Sequence, residues 1–154
     1  MNNVLVLHGP NLNMLGKREQ HVYGYDTLER INQRLQHIGN ERDISVRCLQ
    51  SNSEAQLIEY VQAADDNIDL IIINPAGLTH TSVCLRDALL AVGKPFFEVH
   101  ISNIYAREPF RSHSYFSDVA IGVISGFGTS GYEFALMAAI TYLKHQTEIS
   151  ETWQ

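Results

Sequence analysis

Short apolar runs alternate with helical periodicities along this chain of 154 residues. Five runs have the composition of β-strands, and they span 4–7, 44–49, 70–73, 96–99 and 119–124. The run at 70–73 is apolar at every position, which is typical of a strand covered on both faces of a sheet. The run at 44–49 alternates apolar and polar residues, which favours a place at the sheet edge.

Apolar residues at helical spacing predict helices between the strands. Positions 28, 31, 35 and 38 predict the first helix, and Asp26 and Glu29 have the spacing of a capping box at its start. Ser53 is the expected first residue of the second helix. The third helix is expected to end at Gly93, because glycine commonly follows the last helical residue.

The last predicted helix runs from about residue 131 to 145. Its stretch at 134–140 is apolar nearly all round, which indicates burial in the domain or against a partner subunit. Residues 146–154 are expected to form a polar tail that carries Trp153. Strands that alternate with helices predict an α/β fold with a parallel sheet, and the length fits a single domain over residues 1–154.

Composition excludes several classes of protein. The 17 acidic residues outnumber the 11 basic residues, so the net charge of −6 disfavours a nucleic-acid-binding surface. No apolar run approaches the roughly 18 residues of a membrane span. The N-terminal residues lack the pattern of a secretory signal, and Cys48 and Cys84 form no disulfide framework. We therefore expect a cytoplasmic protein that binds neither nucleic acid nor membranes.

Polar residues follow the first, third and fourth predicted strands. In an open parallel sheet, ligands bind outside the carboxyl ends of the strands. If the strand order is 2-1-3-4-5, these three strands are neighbours and the loops after them form one cleft. The cleft would hold Asn11, Arg18, Tyr23, Asn74, His80, His100, Ser102 and Arg111.

The predicted cleft contains groups that can move protons. His100 is a candidate proton donor, and Tyr23 is a candidate base when a cation such as Arg18 stabilises its ionised form. A cation about 4 Å from the phenolate, at an effective dielectric of about 20, contributes around 4 kcal/mol before desolvation. The seven histidines show no metal-ligand spacing, which disfavours a metal site. The amides and cations of the predicted cleft favour binding a small polar anion.

Three groups of motifs extend this interpretation. They are GPNLN at 9–13, LGKRE at 15–19 and YG at 23–24; NPAG at 74–77, THTS at 79–82 and RDA at 86–88; and EVHISN at 98–103 with RE at 107–108 and Arg111. In this order, over nearly the whole chain, they closely resemble type II 3-dehydroquinate dehydratase. Gln20 stands where that family more often has proline, and Cys84 where it usually has a small residue, but neither removes a functional group.

The resemblance implies a flavodoxin-like three-layer fold and dehydration of 3-dehydroquinate to 3-dehydroshikimate in the shikimate pathway of aromatic amino acid biosynthesis. The reaction would be an anti elimination through an enolate, with no metal or organic cofactor. Tyr23 would be the base, and Arg18 would stabilise its phenolate. Asn11 would hold a water that stabilises the enolate. His100 would protonate the leaving hydroxyl, and Glu98 would orient it.

The resemblance also implies how the substrate is bound. Ile101 and Ser102 would hold the substrate carboxylate, while Asn74, His80 and Arg111 would bind its hydroxyls. Asp87 would reach the site of an adjacent subunit in a homododecamer built from trimers. Residues 9–24 would include a mobile lid that carries the arginine and the tyrosine.

Other interpretations of the same residues are open to test. Arg107 is expected to pair with Glu108 or Asp118 and ranks below Arg111. The G-x-G-x-x-G pattern at 126–131 precedes the last helix, so tight turning and helix packing explain it better than dinucleotide binding. A flavin-binding electron carrier would need a phosphate-binding loop rich in serine, threonine and glycine after the first strand, and residues 10–13 are a poor match to such a loop. A phosphoacceptor module would need an aspartate where Asn74 ends the third strand.

Overall fold

A computed structural model describes residues 1–152 and shows five strands flanked by helices. The strands are β1 (Asn2–His8), β2 (Ile44–Gln50), β3 (Leu70–Asn74), β4 (Phe96–His100) and β5 (Gly122–Ser125). They form a parallel sheet in the order β2-β1-β3-β4-β5. This confirms the predicted flavodoxin-like α/β fold.

Five helices connect or flank the strands: α1 (Gln20–Tyr23), α2 (Leu28–Glu41), α3 (Glu54–Gln62), α4 (Val83–Val92) and α5 (Ser130–Thr152). Each predicted helix is present, and α1 is an additional single turn in the long loop after β1. No helix within residues 1–152 is both long and apolar enough to cross a lipid bilayer.

Two apolar cores lie on opposite faces of the sheet. Val4 and Val6 of β1 pack on the face covered by α2 and α5. Leu5 and Leu7 pack on the face covered by α3 and α4. Because successive side chains of a strand point to opposite faces, a strand covered on both faces must be apolar throughout. The uninterrupted apolar run at 70–73 therefore has the predicted cause, and β3 is buried along its whole length.

The first residue of α2 differs from the prediction. Thr27, and not Asp26, is the N-cap, and its hydroxyl accepts a hydrogen bond of 3.3 Å from the Arg30 backbone N–H. The Asp26 carboxylate is instead engaged by Arg34 and accepts a hydrogen bond of 3.0 Å from the Thr129 hydroxyl. These tertiary contacts compete with the local cap. In α3 the prediction is confirmed, since Ser53 accepts from the Gln56 N–H at 3.2 Å.

Two other element boundaries differ from the prediction by three residues or more. Strand β5 begins at Gly122, and not at 119, because the N–H groups of Val119 and Ala120 both donate to the Phe116 carbonyl in a preceding turn. Helix α5 continues through Thr152, so residues 146–152 are helical and not an irregular tail. Gln146, Glu148 and Glu151 in this segment are good helix formers. Trp153 lies outside the described residues.

The glycines at 126–131 shape the turn between β5 and α5. Gly126 and Gly128 have positive φ angles of 93° and 64°, and residues that carry a side chain rarely adopt such backbone conformations. The Gly128 N–H donates to the Ile101 carbonyl at 3.0 Å. A Cβ at Gly131 would lie 3.3 Å from Ile124, which shows how closely α5 packs on the sheet. Turning and packing explain these glycines, as predicted, and they also anchor the loop after β4.

Candidate active site

A cleft of about 130 Å³ lies at the carboxyl ends of β1, β3 and β4. The strand order makes these three ends neighbours, as the sequence analysis required. The cleft brings together most of the predicted site residues: Asn11, Arg18, Tyr23, Asn74, His80, His100, Ile101, Ser102 and Arg111. Pro10, Leu12, Ala76, Gly77, Ile104 and Arg107 complete its lining.

Close backbone approach joins the loops after β1 and β3. The Gly9 N–H donates to the Asn74 carbonyl at 2.8 Å. A Cβ at Gly9 would lie only 2.5 Å from the Pro75 carbonyl oxygen, so a larger residue there would force the loops apart. Asn11 adopts a left-handed conformation with φ of 70°, and its N–H donates to the Asn52 side chain at 2.9 Å. The position of Asn11 at the cleft is therefore fixed by the backbone.

Two guanidinium groups surround Tyr23, which is the last residue of α1. Arg107 donates a hydrogen bond of 2.8 Å to the Tyr23 hydroxyl. Its guanidinium also lies 3.3 Å from the Ser102 hydroxyl. The Arg18 guanidinium carbon lies 4.8 Å from the centre of the Tyr23 ring, in a cation–π arrangement. Arg18 thus stands over the ring, while the direct contact with the oxygen comes from a different arginine.

The expectation for Arg107 is confirmed for one of its two candidate partners. The Arg107 Nε lies 3.9 Å from Glu108, whereas Asp118 pairs with Arg86. The Arg107 guanidinium also reaches into the cleft, where it contacts Tyr23, a residue 84 positions away in the sequence. The sequence alone places Arg107 below Arg111 as a site residue, because the adjacent glutamate is an obvious local partner.

His100, at the end of β4, is held by a buried carboxylate. Its Nε2 contacts Glu98, which is fully buried and lies behind the cleft lining. The Ser114 and Ser117 hydroxyls donate to the same carboxylate at 2.9 and 2.7 Å. Burial alone would raise the pKa of Glu98, but the hydrogen bond and charge of His100, with Ser117 and Ser114, hold the pKa below its ordinary value.

This arrangement fixes the orientation of the His100 ring. Because an ionised carboxylate only accepts hydrogen bonds, the His100 Nε2 carries a proton that it donates to Glu98. Nδ1 is then the nitrogen that is free to exchange a proton in the cleft. The two serines that complete the surroundings of the Glu98 carboxylate are additional residues that the sequence analysis missed.

His80 and Arg111 lie on another side of the cleft. The His80 Nδ1–H donates to the His113 carbonyl at 2.7 Å. Burial lowers the pKa of His80, and the nearby His100 and Arg111 lower it further. The Arg111 Nε donates to Glu108 at 2.8 Å. Both side chains are thereby oriented by groups outside the cleft while they still line it.

Asn74 and Asp87 occupy contrasting positions. Asn74 is buried at the end of β3, and its side-chain oxygen accepts from the Ala76 N–H at 3.0 Å. Asp87 is exposed on α4 and does not line the cleft of its own chain. Within residues 1–152, histidine, cysteine, aspartate and glutamate side chains form no group of three that could hold a metal ion.

The cleft combines a phenol in contact with cations, an imidazole held by a carboxylate, and several polar donors. Arg18, Arg107 and Arg111 make it positively charged, which favours an anionic ligand. A phenolate could remove a proton, and an imidazolium could supply one. Fixed donors could stabilise negative charge that develops on an oxygen between them.

Comparisons with known proteins agree with this chemistry. The model of the family described as dehydroquinase class II matches residues 2–140. A 3-dehydroquinate dehydratase of Marinobacter nauticus is 60% identical over 141 residues, which cover 91% of this chain and 97% of the relative. A 3-dehydroquinate dehydratase of Legionella pneumophila is 59% identical over 145 residues, which cover 94% of this chain and 100% of the relative.

Solved structures show the same relationship. The crystal structure of type II dehydroquinase from Propionibacterium acnes superposes with a TM-score of 0.87 at 43% identity, covering 92% of this chain and 97% of that one. A type II dehydroquinase from Butyrivibrio crossotus gives a TM-score of 0.87 at 39% identity, with 91% and 97% of the two chains covered.

Proposed function

Because the chain belongs to the class II dehydroquinase family, we propose that it dehydrates 3-dehydroquinate to 3-dehydroshikimate by an anti elimination. The observation that carries the mechanism is the surrounding of Tyr23. One guanidinium lies at its hydroxyl and a second over its ring, in the cleft that also contains His100. A phenol in this position is the group best suited to lose its proton and act as a base.

In the first step, the Tyr23 phenolate removes a proton from carbon 2 of the substrate, next to the ketone. The electron pair of the broken C–H bond moves into the carbon 2–carbon 3 bond, and negative charge develops on the ketone oxygen. Arg107 and Arg18 stabilise the phenolate before transfer. Asn11 holds a water that donates to the enolate oxygen, because an enolate needs fixed donors where its charge develops.

In the second step, the ketone re-forms and the electron pair of the enolate double bond moves between carbon 1 and carbon 2, so a carbon 1–carbon 2 double bond forms as the bond between carbon 1 and its hydroxyl breaks. His100 transfers its Nδ1 proton to the departing oxygen, so the leaving group is water. Glu98 accepts from Nε2 throughout and favours the charged imidazolium before transfer. Tyr23 ends protonated and His100 neutral, and one proton passing from the first to the second restores the starting state.

The remaining groups bind the substrate. Ile101 and Ser102 hold its carboxylate, and Asn74, His80 and Arg111 bind its hydroxyls. We also propose that residues 1–154 form one catalytic domain that acts in the shikimate pathway in the cytoplasm. In the proposed homododecamer of trimers, the exposed position of Asp87 leaves it free to reach the site of an adjacent subunit.

The proposal is tested with substrate that carries deuterium at one or the other of its two carbon 2 positions. Product is followed by the ultraviolet absorbance of its conjugated ketone. Anti elimination predicts that the product loses the deuterium on the ring face opposite the carbon 1 hydroxyl and keeps the deuterium on the same face as that hydroxyl. Absence of product, or loss of the deuterium on the same face as the hydroxyl, would refute the proposal. A yellow purified protein would instead indicate the flavin carrier.

A further inference from the structure

A network of buried and partly buried hydrogen bonds lies behind Asn74. It joins four elements: Asn32 of α2, His8 at the end of β1, Asn74 at the end of β3 and Tyr132 of α5. The Asn74 Nδ2 lies 2.9 Å from the Tyr132 hydroxyl, which lies 3.2 Å from the His8 Nδ1. The His8 Nε2 lies 2.8 Å from the Asn32 side-chain oxygen. Only Asn74 among the four lines the cleft.

Each proton of the network can be placed. Burial lowers the pKa of His8 to about 4, so its ring is neutral near pH 7. The Asn32 oxygen can only accept, which puts the single ring proton on Nε2 and leaves Nδ1 as an acceptor. The Tyr132 hydroxyl therefore donates to Nδ1. Burial raises the pKa of Tyr132, so the hydroxyl keeps the proton that it donates.

These assignments leave one orientation for the Asn74 amide. The Tyr132 hydroxyl uses its one proton in the hydrogen bond to His8, so its oxygen accepts a hydrogen bond from the Asn74 Nδ2. On the other side, the Asn74 Oδ1 accepts from the Ala76 N–H at 3.0 Å. If the amide were flipped, the Asn74 NH₂ group would point at the Ala76 N–H, and two hydrogen-bond donors facing each other are costly when they are buried. One amide proton remains, and it is available to the cleft.

We infer that Tyr132 and His8 are positioning residues for substrate binding, because they fix the Asn74 amide so that its free N–H meets a substrate hydroxyl. Neither side chain touches the substrate. The inference rests on the proposed function, in which Asn74 binds that hydroxyl. The same amide supports Ala76, whose positive φ of 54° is unusual for a residue with a side chain, so the network also holds the adjacent cleft wall.

The test is a double-mutant cycle between Tyr132→Phe and Asn74→Ala in the full chain, with KM and kcat measured for dehydroquinate. A neutral hydrogen bond contributes about 1 kcal/mol, so Tyr132→Phe is expected to raise KM about fivefold and to change kcat less. In the Asn74→Ala background, Tyr132→Phe should raise KM no further. Tyr142→Phe is the matched control on the same helix and should leave KM unchanged.

A second pair of variants keeps the test decisive if Tyr132→Phe folds poorly. His8→Asn retains an acceptor near the position of Nδ1, and His8→Leu removes it. We expect His8→Leu to raise KM as Tyr132→Phe does, and His8→Asn to stay near the wild-type KM. A purely structural role would lower the melting temperature without this KM pattern.

The outcomes separate the inference from the proposed function. If Asn74→Ala raises KM while Tyr132→Phe and His8→Leu do not, the inference is wrong and the site assignment stands. Additive effects of Tyr132→Phe and Asn74→Ala would also overturn the inference. If Asn74→Ala itself leaves KM and kcat unchanged, Asn74 does not bind substrate, and the site assignment fails together with the inference.

Discussion

The contact between Arg107 and Tyr23 gives the sharpest prediction for catalysis. The guanidinium nitrogen lies 2.8 Å from the phenol oxygen, in a largely buried position. With the charge centres about 4 Å apart and an effective dielectric of about 20, the interaction with a phenolate is about 4 kcal/mol. Desolvation of both groups reduces this, so we expect Arg107→Gln to lower kcat by about 10²-fold, which corresponds to about 2.7 kcal/mol.

The assay follows product absorbance at saturating substrate, so that it measures kcat. Arg42→Gln is the matched control, since it removes an exposed arginine that pairs with Glu41 outside the cleft. An Arg107→Gln variant with wild-type kcat would refute the reasoning.

Two further predictions follow from buried groups. Ser117→Ala removes a hydrogen-bond donor that lowers the pKa of Glu98. We expect kcat to fall roughly fivefold, and the decline of kcat on acidification to begin at a higher pH than in the wild type. An unchanged pH profile of kcat would contradict this. The unfolded chain protonates His8 near its ordinary pKa of 6.5, whereas the folded protein does so only near 4, so stability is full above pH 6.5 and falls by up to about 3 kcal/mol towards pH 4. Melting temperatures at fixed protein concentration should fall less steeply with acid in His8→Asn, and an identical slope would exclude His8 as the cause.

The sheet and the location of the cleft could be predicted from local patterns. The apolar run at 70–73 indicates a strand buried on both faces, and polar residues directly after three strands indicate a shared site. Asn74 and His100 end their strands, so the topology alone determines where they lie. This part of the site follows from strand order and needs no knowledge of side-chain contacts.

The contacts that orient the catalytic groups could not be predicted in this way. Arg107 lies in an irregular segment, where the neighbouring glutamate offered a simpler partner. Tyr132 lies near the start of α5, just before its apolar stretch at 134–140, and its partner His8 is 124 residues away in the sequence. Asp26 resembles a helix cap, yet Arg34 and Thr129 engage it. In each case a long-range polar contact competes with a local pattern, and only the folded chain shows which of the two is formed.

The central claim is that Tyr23 is the base that starts the reaction. It is tested most directly by comparing the wild-type protein with Tyr23→Phe, which keeps the ring and removes only the hydroxyl. Single-turnover absorbance of the conjugated product measures the conversion of bound substrate to product. Circular dichroism shows whether both proteins are folded. We predict a loss of about 10³-fold or more in Tyr23→Phe. A folded Tyr23→Phe protein that forms product at the wild-type rate would contradict the account.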